Sequence, residues 1–283
     1  MTRLSERQLS FFNREGYLLI EDCLPLATIK RIIKVIEKLK KDSLNLTKSN
    51  HLFDVAPGHS KKTPKLRRIK EPDKQHIIFE KLVRSKVLMD IVAPLLGGTV
   101  RFDHSKLNFK PPDGKAKIEW HQDWAFYPHT NDNLLAVGIM IEDCNIENGP
   151  LMVLPKSHKG PIYNHHKEGV FCGAVETNCI KNVSDAIALT APAGSISIHH
   201  VRTLHASAEN YSASDRPLLL FSYSAVDAFP VFSSFALEEY DRKIIRGKPT
   251  VIPRSDNIPM RLPLPRKVGA SSIFDDQSNF SKM

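Results

Sequence analysis

The sequence predicts a mainly β protein with flanking helices, built around a sandwich or jelly-roll barrel. From Val100 onward the chain is a series of short runs of β-forming residues. The runs are separated by combinations of proline, glycine and asparagine that favour turns, such as Asn148-Gly-Pro and Ala191-Pro-Ala-Gly. Several short strands joined by such turns are typical of β-sandwiches and jelly rolls.

Seven strands are predicted from the positions of these runs. In each run, β-forming residues either alternate with polar residues or follow one another without interruption. A further turn signal, Pro111-Pro-Asp-Gly, separates the first two. The predicted strands are residues 100–109, 118–124, 134–141, 151–154, 187–189, 195–200 and 218–226.

The first third of the chain shows mostly helical periodicity. A short helix is predicted to begin after Ser5 and to end at Gly16, before a strand over residues 17–20. A longer amphipathic helix is predicted after Pro25, and another over residues 75–96. These helices should form a layer separate from the strands that follow.

We expect a single domain over residues 1–283, because β-barrels of this length commonly fold as one unit. Residues 1–98 form its mostly helical N-terminal part, which should pack on the barrel, and residues 99–232 form the jelly-roll core. Residues 233–283 form a proline-rich C-terminal extension. Its Ile258-Pro-Met-Arg-Leu-Pro-Leu-Pro run can be neither helix nor central strand, because proline lacks a backbone N–H.

Composition argues against secreted and membrane proteins. No stretch approaches the roughly 18–20 apolar residues of a membrane span, and the first ten residues are polar. The cysteines are widely spaced, so we expect free thiols in a reducing compartment: Cys23, Cys144, Cys172 and Cys179. A cytoplasmic location follows, although the final Ser281-Lys-Met resembles a peroxisomal address.

The net charge of +9 at pH 7 raises the question of a nucleic-acid partner. Much of the excess lies on the polar face of the helix after Pro25, where basic residues alternate with isoleucines as on a solvated helix face. A second basic cluster, between His59 and Pro72, has no clear periodicity. It is either a solvated loop or a lid that contacts an anion. We expect no nucleic-acid partner.

The strongest chemical signal is Trp120-His-Gln-Asp-Trp in a predicted strand. Residues two apart on a strand share a face, so His121 and Asp123 can reach one ion while Gln122 faces away. His205, several strands later, is the candidate third ligand. Two imidazoles and one carboxylate with open positions opposite them select ferrous iron for oxygen chemistry.

Arg216 and Ser207, which follow the candidate third ligand in the sequence, favour an anion site nearby. Arg216 lies eleven residues beyond His205 and opens the last predicted strand. Its guanidinium can hold a carboxylate through two parallel hydrogen bonds, and Ser207, on the same side as His205, can add a third. On the approach to this region His199 and His200 point to opposite faces, so at least one of them should be structural.

Several stretches resemble the phytanoyl-CoA dioxygenase family. They are His121-Gln-Asp-Trp, Glu147-Asn-Gly-Pro-Leu-Met-Val-Leu-Pro-Lys-Ser-His, and the run from Gly194 to Arg216. Residues 11–20 also resemble that family's N-terminal helix and strand. The likeness spans nearly the whole chain, and the combined motifs are specific to the family without being specific to one substrate.

The resemblance implies a double-stranded β-helix, which would form the single catalytic domain expected from the length of the chain. It further implies a dioxygenase that uses Fe(II), 2-oxoglutarate and O2, releases succinate and CO2, and hydroxylates an unactivated C–H bond. Fe(II) would be held by His121, Asp123 and His205. The presence of Asp123 argues against the family's halogenases, in which a smaller residue leaves room for halide.

The resemblance also implies how 2-oxoglutarate is held. Its keto-acid end would chelate the iron, and its far carboxylate would be bound by Arg216 and Ser207. An amide thirteen residues before the first ligand often contacts the cosubstrate in that family, and here the position is Asn108.

The substrate is predicted to be a small or medium organic anion: an acyl-CoA, a carboxylate or amino acid, or a phosphonate. If Asn108 faces the interior, period two places Phe102, His104, Lys106 and Lys110 on the same side. The alternatives are that Lys106 is solvated at a rim and that the aromatic residues belong to the core. The predicted substrate contacts are Lys106, His104, Trp124, Arg67, Arg68 and Tyr127.

Two other functions are open at the level of sequence. One is a non-catalytic metal-binding barrel with a regulatory or ligand-binding role, which succinate release with added Fe(II) would exclude. The other is a nucleic-acid demethylase, suggested by the basic pI and tested by salt-dependent association with DNA or RNA. The sequence predicts no oligomeric state.

Overall fold

Two antiparallel β-sheets form the centre of the protein in a computed structural model that describes residues 4–112, 117–232, 236–263 and 273–280. The strands are β1 (Tyr17–Ile20), β2 (Phe53–Val55), β3 (Leu66–Lys70), β4 (Val100–Lys110), β5 (Ile118–His121), β6 (Leu134–Met140), β7 (Leu151–Val153), β8 (His166–Lys167), β9 (Val170–Phe171), β10 (Ile187–Leu189), β11 (Ile196–His200), β12 (His205–Ser207), β13 (Arg216–Ser224) and β14 (Ile244–Arg246). The large sheet has the order β1-β11-β6-β13-β4-β3-β2, with β14 also paired to β4. The small sheet has the order β10-β7-β12-β5, and β8 pairs with β9.

The helices lie mostly in the N-terminal third, as predicted. They are α1 (Glu6–Glu15), α2 (Leu26–Ser43), α3 (Pro72–Gln75), α4 (Ile77–Val83), α5 (Lys86–Leu95), α6 (Leu237–Asp241) and α7 (Ile273–Phe280). Helix α1 has the predicted ends: Ser5 and Gln8 form a reciprocal capping box, and Gly16 adopts the left-handed conformation with φ 81°.

Alternation along the strands of the large sheet separates its two faces. One face packs against α2, α4 and α5 in the main hydrophobic core, to which Leu107, Val137 and Leu219 contribute fully buried side chains. The opposite face turns toward the small sheet and carries polar residues, including Lys106 and Asn108. The cavity described below lies between the two sheets.

Two predicted elements differ in extent from the prediction: one helix is interrupted and one strand ends early. The predicted helix over residues 75–96 is broken, because the side chains of His76 and Ser85 accept backbone N–H groups and act as N-caps of α4 and α5. The predicted strand over residues 118–124 stops at His121, and a 3-10 turn, Asp123–Ala125, follows.

The basic cluster between His59 and Pro72 contains a strand that the sequence did not predict. Strand β3 pairs with β4, placing Arg68 opposite Asn108 and Lys70 opposite Lys106. The part of the cluster on β3 is therefore neither a loop nor a lid.

Residues 258–263 of the C-terminal extension form no helix or strand, as predicted, and they lie against the barrel. The backbone carbonyl of Pro259 accepts a hydrogen bond from Trp124 Nε1 at 3.0 Å, and that of Pro263 lies 2.6 Å from His166 Nε2. The extension also contains α6, β14 and α7, which were not predicted. The Ser281-Lys-Met end falls outside the described residues, as does the second half of the Pro111-Pro-Asp-Gly turn.

All four cysteines are free thiols, with Cys179 exposed and the other three buried. Within the described ranges, every helix is too short or too polar to cross a bilayer. A cytoplasmic location stays a prediction.

Candidate active site

Three side chains with metal-ligating atoms converge between the sheets. One ligand atom from each of His121, Asp123 and His205 lies within 4.8 Å of the others, and all three residues are buried. His121 ends β5 and His205 begins β12, directly opposite each other in the register of the small sheet. Asp123 reaches the cluster from the 3-10 turn and not, as predicted, from a continuing strand.

Backbone carbonyls fix the orientation of both imidazole rings. Nδ1 of His121 lies 2.8 Å from the carbonyl oxygen of Glu119, and Nδ1 of His205 lies 2.9 Å from that of Thr203. Because a carbonyl only accepts, each Nδ1 must carry the proton. Each Nε2 therefore presents a lone pair, the form in which histidine binds a metal.

The charge states of the cluster also suit a metal ion. Burial lowers the pKa of His121 to about 4, although the charge of Asp123 opposes this. Burial alone would raise the pKa of Asp123, but a hydrogen bond from His199 and the charge of Lys106 hold it well below its usual value. Two neutral imidazoles and an ionised carboxylate fit a ferrous ion.

Gln122, between the two ligands of the motif, points away from the cluster as predicted. Its Nε2 donates to the carbonyls of Pro161 and Arg202, at 3.1 and 2.9 Å, and its Oε1 accepts the Tyr163 N–H at 2.9 Å. The side chain thus holds together three segments behind the site.

A cavity of about 720 Å3, part of it open to solvent, extends from the cluster between the sheets. Aliphatic side chains make up much of its wall, including Ile118 and Leu151 of the small sheet and Leu218 and Leu220 of the large one. Outside the metal cluster its polar lining residues include Arg216 and Lys110, and also Lys106 and Asn108.

Arg216 and Lys110 form a pair of buried cations at one end of the cavity. They are direct partners in the register of β13 and β4, and both are about 5% exposed. Arg216 donates to the carbonyl of Gly149 at 2.6 Å, while Lys110 donates to the carbonyls of Ser207, at 3.3 Å, and Ala208. Within the described residues neither cation donates a hydrogen bond to a carboxylate, so the pair suits an incoming carboxylate.

Sequence reasoning placed Lys110 on the inner face of β4 but did not select it as a site residue. Burial lowers its pKa to about 7, and the charge of Arg216 adds to that effect. Ser207, which was selected, also lines the cavity. The signal that could have found Lys110 is its period-two spacing from Asn108.

Asn108 and Lys106 line the cavity on β4, as period two predicts. Oδ1 of Asn108 accepts a hydrogen bond from Arg68 Nε at 2.9 Å, which brings that arginine to the same side of the sheet. Burial lowers the pKa of Lys106, and the charge of Asp123 opposes this effect. Lys106 therefore lines the cavity, where its side chain is half-buried.

His104 and Tyr127 lie together beside the metal cluster. Their rings are in edge contact at 5.4 Å, and Nε2 of His104 lies 3.3 Å from the hydroxyl of Ser222. Burial raises the pKa of Tyr127 well above its ordinary value, and the charge of Asp123 raises it further. Both residues are thus close to the cluster, but neither lines the cavity.

Of the six predicted substrate contacts Lys106 lines the cavity and the other five do not, and two of those five, Trp124 and Arg67, are directed away from it. Trp124 is 1% exposed and packs with Leu134 and Val201 in a separate cluster, so it is a core aromatic. Arg67 alternates with Arg68 along β3 and therefore points to the opposite face of that strand. Neither residue lines the cavity.

Fold, ligand cluster and cavity together define a class: a non-haem iron(II) enzyme that uses 2-oxoglutarate as cosubstrate. Within that class the chain belongs to the phytanoyl-CoA dioxygenase (PhyH) family, whose model matches residues 12–218. The predicted family, fold and cofactors are confirmed.

Curated relatives support this assignment. A probable alpha-ketoglutarate-dependent hypophosphite dioxygenase from Stutzerimonas stutzeri is 34% identical over 278 residues, which is 96% of each chain. An ectoine dioxygenase from Stutzerimonas stutzeri strain A1501 is 26% identical and covers 76% of this chain and 75% of its own.

Solved structures show the same double-stranded β-helix. EctD from S. alaskensis with bound Fe superposes with a TM-score of 0.67 at 24% identity, over 79% of this chain and 77% of that one. The same protein with 2-oxoglutarate and 5-hydroxyectoine gives a TM-score of 0.66 at 22% identity, over 91% and 88% of the two chains.

Proposed function

We propose that this enzyme hydroxylates a small anionic substrate, bound beside the iron by Lys106. The observation that carries the proposal is the position of Lys106, a cation inside the cavity and close to Asp123. A buried ammonium with an anionic substrate beside it avoids much of the cost of burying an unpaired charge. Arg68, on the neighbouring strand, would add to the positive potential.

In this proposal the other polar residues divide between the metal and the cosubstrate. His121, Asp123 and His205 would hold Fe(II), and Arg216, Lys110 and Ser207 would bind the far carboxylate of 2-oxoglutarate. The bound iron would supply the oxygen chemistry that couples decarboxylation of 2-oxoglutarate to oxidation of the substrate.

The chain's own residues would then act by placement and by exclusion of water. The carboxylate end of the cosubstrate would be fixed at the buried cations, and the substrate anion would be fixed at Lys106 across the cavity. Aliphatic walls from Ile118, Leu218 and Leu220 would keep the reacting atoms dry. The overall balance is substrate, 2-oxoglutarate and O2 giving hydroxylated substrate, succinate and CO2.

A small substrate is supported by the relatives named for hypophosphite and for ectoine, both of which are small molecules. Among small anions, a second candidate is a phosphorus oxyanion hydroxylated at a P–H bond. It is supported by the relative named for hypophosphite, which matches this chain over nearly its whole length.

The test is succinate release by the iron-loaded enzyme with hypophosphite, alkylphosphonates, carboxylates and amino acids, measured against turnover without substrate. Lys106→Met should raise KM for the active anion roughly 10-fold or more, since a hydrogen bond to a charged group contributes about 1.5–3 kcal/mol. The affinities for metal and 2-oxoglutarate should stay unchanged.

Lys74→Met is the matched control, because that side chain is exposed on α3. It should leave KM at the wild-type value. An unchanged KM in Lys106→Met would contradict the role of this lysine, and a preferred substrate without negative charge would contradict the substrate class.

A further inference from the structure

His199 lies against the metal cluster but is not one of its three ligands. It is on β11, opposite Ala136 of β6, with its side chain on the face of the large sheet that lines the cavity. It is only 2% exposed. Its ring stands 4.2 Å from that of His205, measured between centroids, at an angle of 41°.

The two nitrogens of His199 have different surroundings. Nε2 lies 3.3 Å from Oδ2 of Asp123, a carboxylate whose charged form can only accept, so Nε2 carries the proton. Nδ1 has no hydrogen-bond partner within the described residues. Within the described residues, the His199 ring therefore makes one hydrogen bond, to Asp123.

The two oxygens of Asp123 are divided in the same way. Oδ2 is engaged by His199, whereas Oδ1 is the oxygen that lies 4.0 Å from Nε2 of His205, inside the ligand cluster. The hydrogen bond thus distinguishes the oxygen that faces the metal position from the one that does not. Outer partners of this kind orient metal ligands and tune their affinity.

We propose that His199 is a positioning residue that holds Oδ2 of Asp123, so that Oδ1 is the oxygen presented to the iron. The proposal rests on the proposed function, because it assumes that Asp123 is a metal ligand. It assigns to His199 a role beside the three ligands, in which it contacts one of them and not the reacting atoms.

The test compares two side chains of nearly equal size at this position. His199→Gln keeps an N–H donor that can reach Asp123, and His199→Met removes the donor while filling similar space. Both variants lose the aromatic ring, so any difference between them reports the hydrogen bond and not ring packing. The measurement is the affinity of the metal-free protein for Co(II) and Fe(II), by calorimetry under anaerobic conditions.

We expect His199→Met to weaken metal binding about 10- to 100-fold, the usual effect of removing an outer partner, and His199→Gln to recover most of that loss. Equal affinities for the Gln and Met variants would overturn the proposal, whether both match the wild type or both fall. Thermal unfolding of each apoprotein reports the fold. If His199→Met does not fold, His199→Phe takes its place as the variant without a donor.

His200 provides the matched control on the same strand. Its side chain alternates with that of His199, and its Nδ1 accepts the backbone N–H of Arg202 at 3.2 Å. His200→Gln should therefore bind metal as the wild type does. Iron-dependent succinate release by the wild type is measured in parallel, so failure of the proposed function would be seen there and failure of the His199 role only in the variants.

Discussion

At the scale of single residues, burial has different effects on Arg216 and Lys110, the two cations proposed to bind the far carboxylate of 2-oxoglutarate. Arg216 keeps its charge at any physiological pH, although burial lowers its pKa. Lys110 is brought to a pKa of about 7, first by burial and then by the charge of Arg216. The charge of this end of the cavity therefore changes close to neutral pH.

Cosubstrate affinity should consequently fall as pH rises above 7. The carboxylates of 2-oxoglutarate remain ionised over this range, and they bind best to the protonated form of Lys110. Protonation is complete below the pKa of the free enzyme and is lost above it, so affinity should decrease by at most about 10-fold per pH unit. The dependence should end above the pKa that Lys110 has in the complex.

The measurement is calorimetric titration of the Co(II)-loaded protein with 2-oxoglutarate between pH 7 and 9. Glu209 and Cys144 are the other titratable groups whose charges act on Lys110, and burial keeps the thiol of Cys144 protonated by raising its pKa. Lys110→Met should bind more weakly at pH 7 and show little pH dependence. A wild-type affinity that is flat across this range would contradict the role of Lys110.

Residues of the site could be predicted from the sequence where the residue type and its spacing along the chain indicate its role. His121, Asp123 and His205 are an unusual combination, and the inward position of Lys106 follows from strand periodicity. Sequence could show that His199 and His200 point to opposite faces, but not which one meets Asp123. That depends on the 3-10 turn, which turns the Asp123 carboxylate toward β11.

At the scale of elements, α7 completes the edge of the small sheet. Strand β5 is the edge strand, and the side-chain amide of Gln277 accepts the N–H of Glu119 at 2.9 Å and donates to its carbonyl at 3.4 Å. It also donates to the carbonyl of Gly173 at 3.0 Å. One turn earlier, Ile273 lines the cavity.

This contact also connects α7 to the metal cluster. The Glu119 carbonyl that accepts from Gln277 is the one that fixes Nδ1 of His121. A C-terminal helix is thus held on the strand that ends in a metal ligand, and it contributes one apolar residue to the cavity.

Replacing Gln277 by Met should detach α7 while the barrel stays folded. The new side chain has a similar size but leaves the N–H of Glu119 without its side-chain acceptor, at a cost of about 1–3 kcal/mol. Hydrogen exchange should speed up across residues 273–280, and the exchange of β4 and β13 should be unchanged. Unchanged protection of α7 would show that Gln277 does not hold the helix.

Gln75→Met is the control for this experiment, because it makes the same substitution at a side chain that donates to the carbonyl of Leu52, next to β2 of the large sheet. It should leave the exchange of residues 273–280 at the wild-type rate.

The elements that sequence failed to predict are those set by partners distant in the chain. Strand β3 has a basic sequence without clear alternation, and its pairing with β4 decides its conformation. A bulge shifts the register between β4 and β13, so Phe102 packs with Phe221 and Tyr223 in the core and not on the inner face that period two predicts. Local periodicity carries no information about either event.

At the scale of the whole molecule, a layer of helices supports the large sheet from behind and leaves its other face for the cavity. The predicted division into a helical first third and a β core follows from the change of periodicity near Val100, which is a property of long segments. The order of strands in the sheets could not be read in this way, because each pairing joins segments far apart in sequence.

The same architecture explains how the ligands come together. Strands β5 and β12 are adjacent in the small sheet, so the pairing that builds the barrel also places His121 opposite His205. A chain that forms this sheet in this register must therefore bring the two imidazoles together, so a correct prediction of the strand pairing also predicts that the two ligands are close.

Succinate release from 2-oxoglutarate, measured with and without Fe(II) for the wild type and for Asp123→Asn and His205→Ala, tests this account most directly. The wild type should release succinate only when iron is added, and each variant should fall to the background without iron, because the open ferrous site needs all three ligands. Iron-dependent turnover that survives either substitution would contradict the assignment of these residues as the iron ligands.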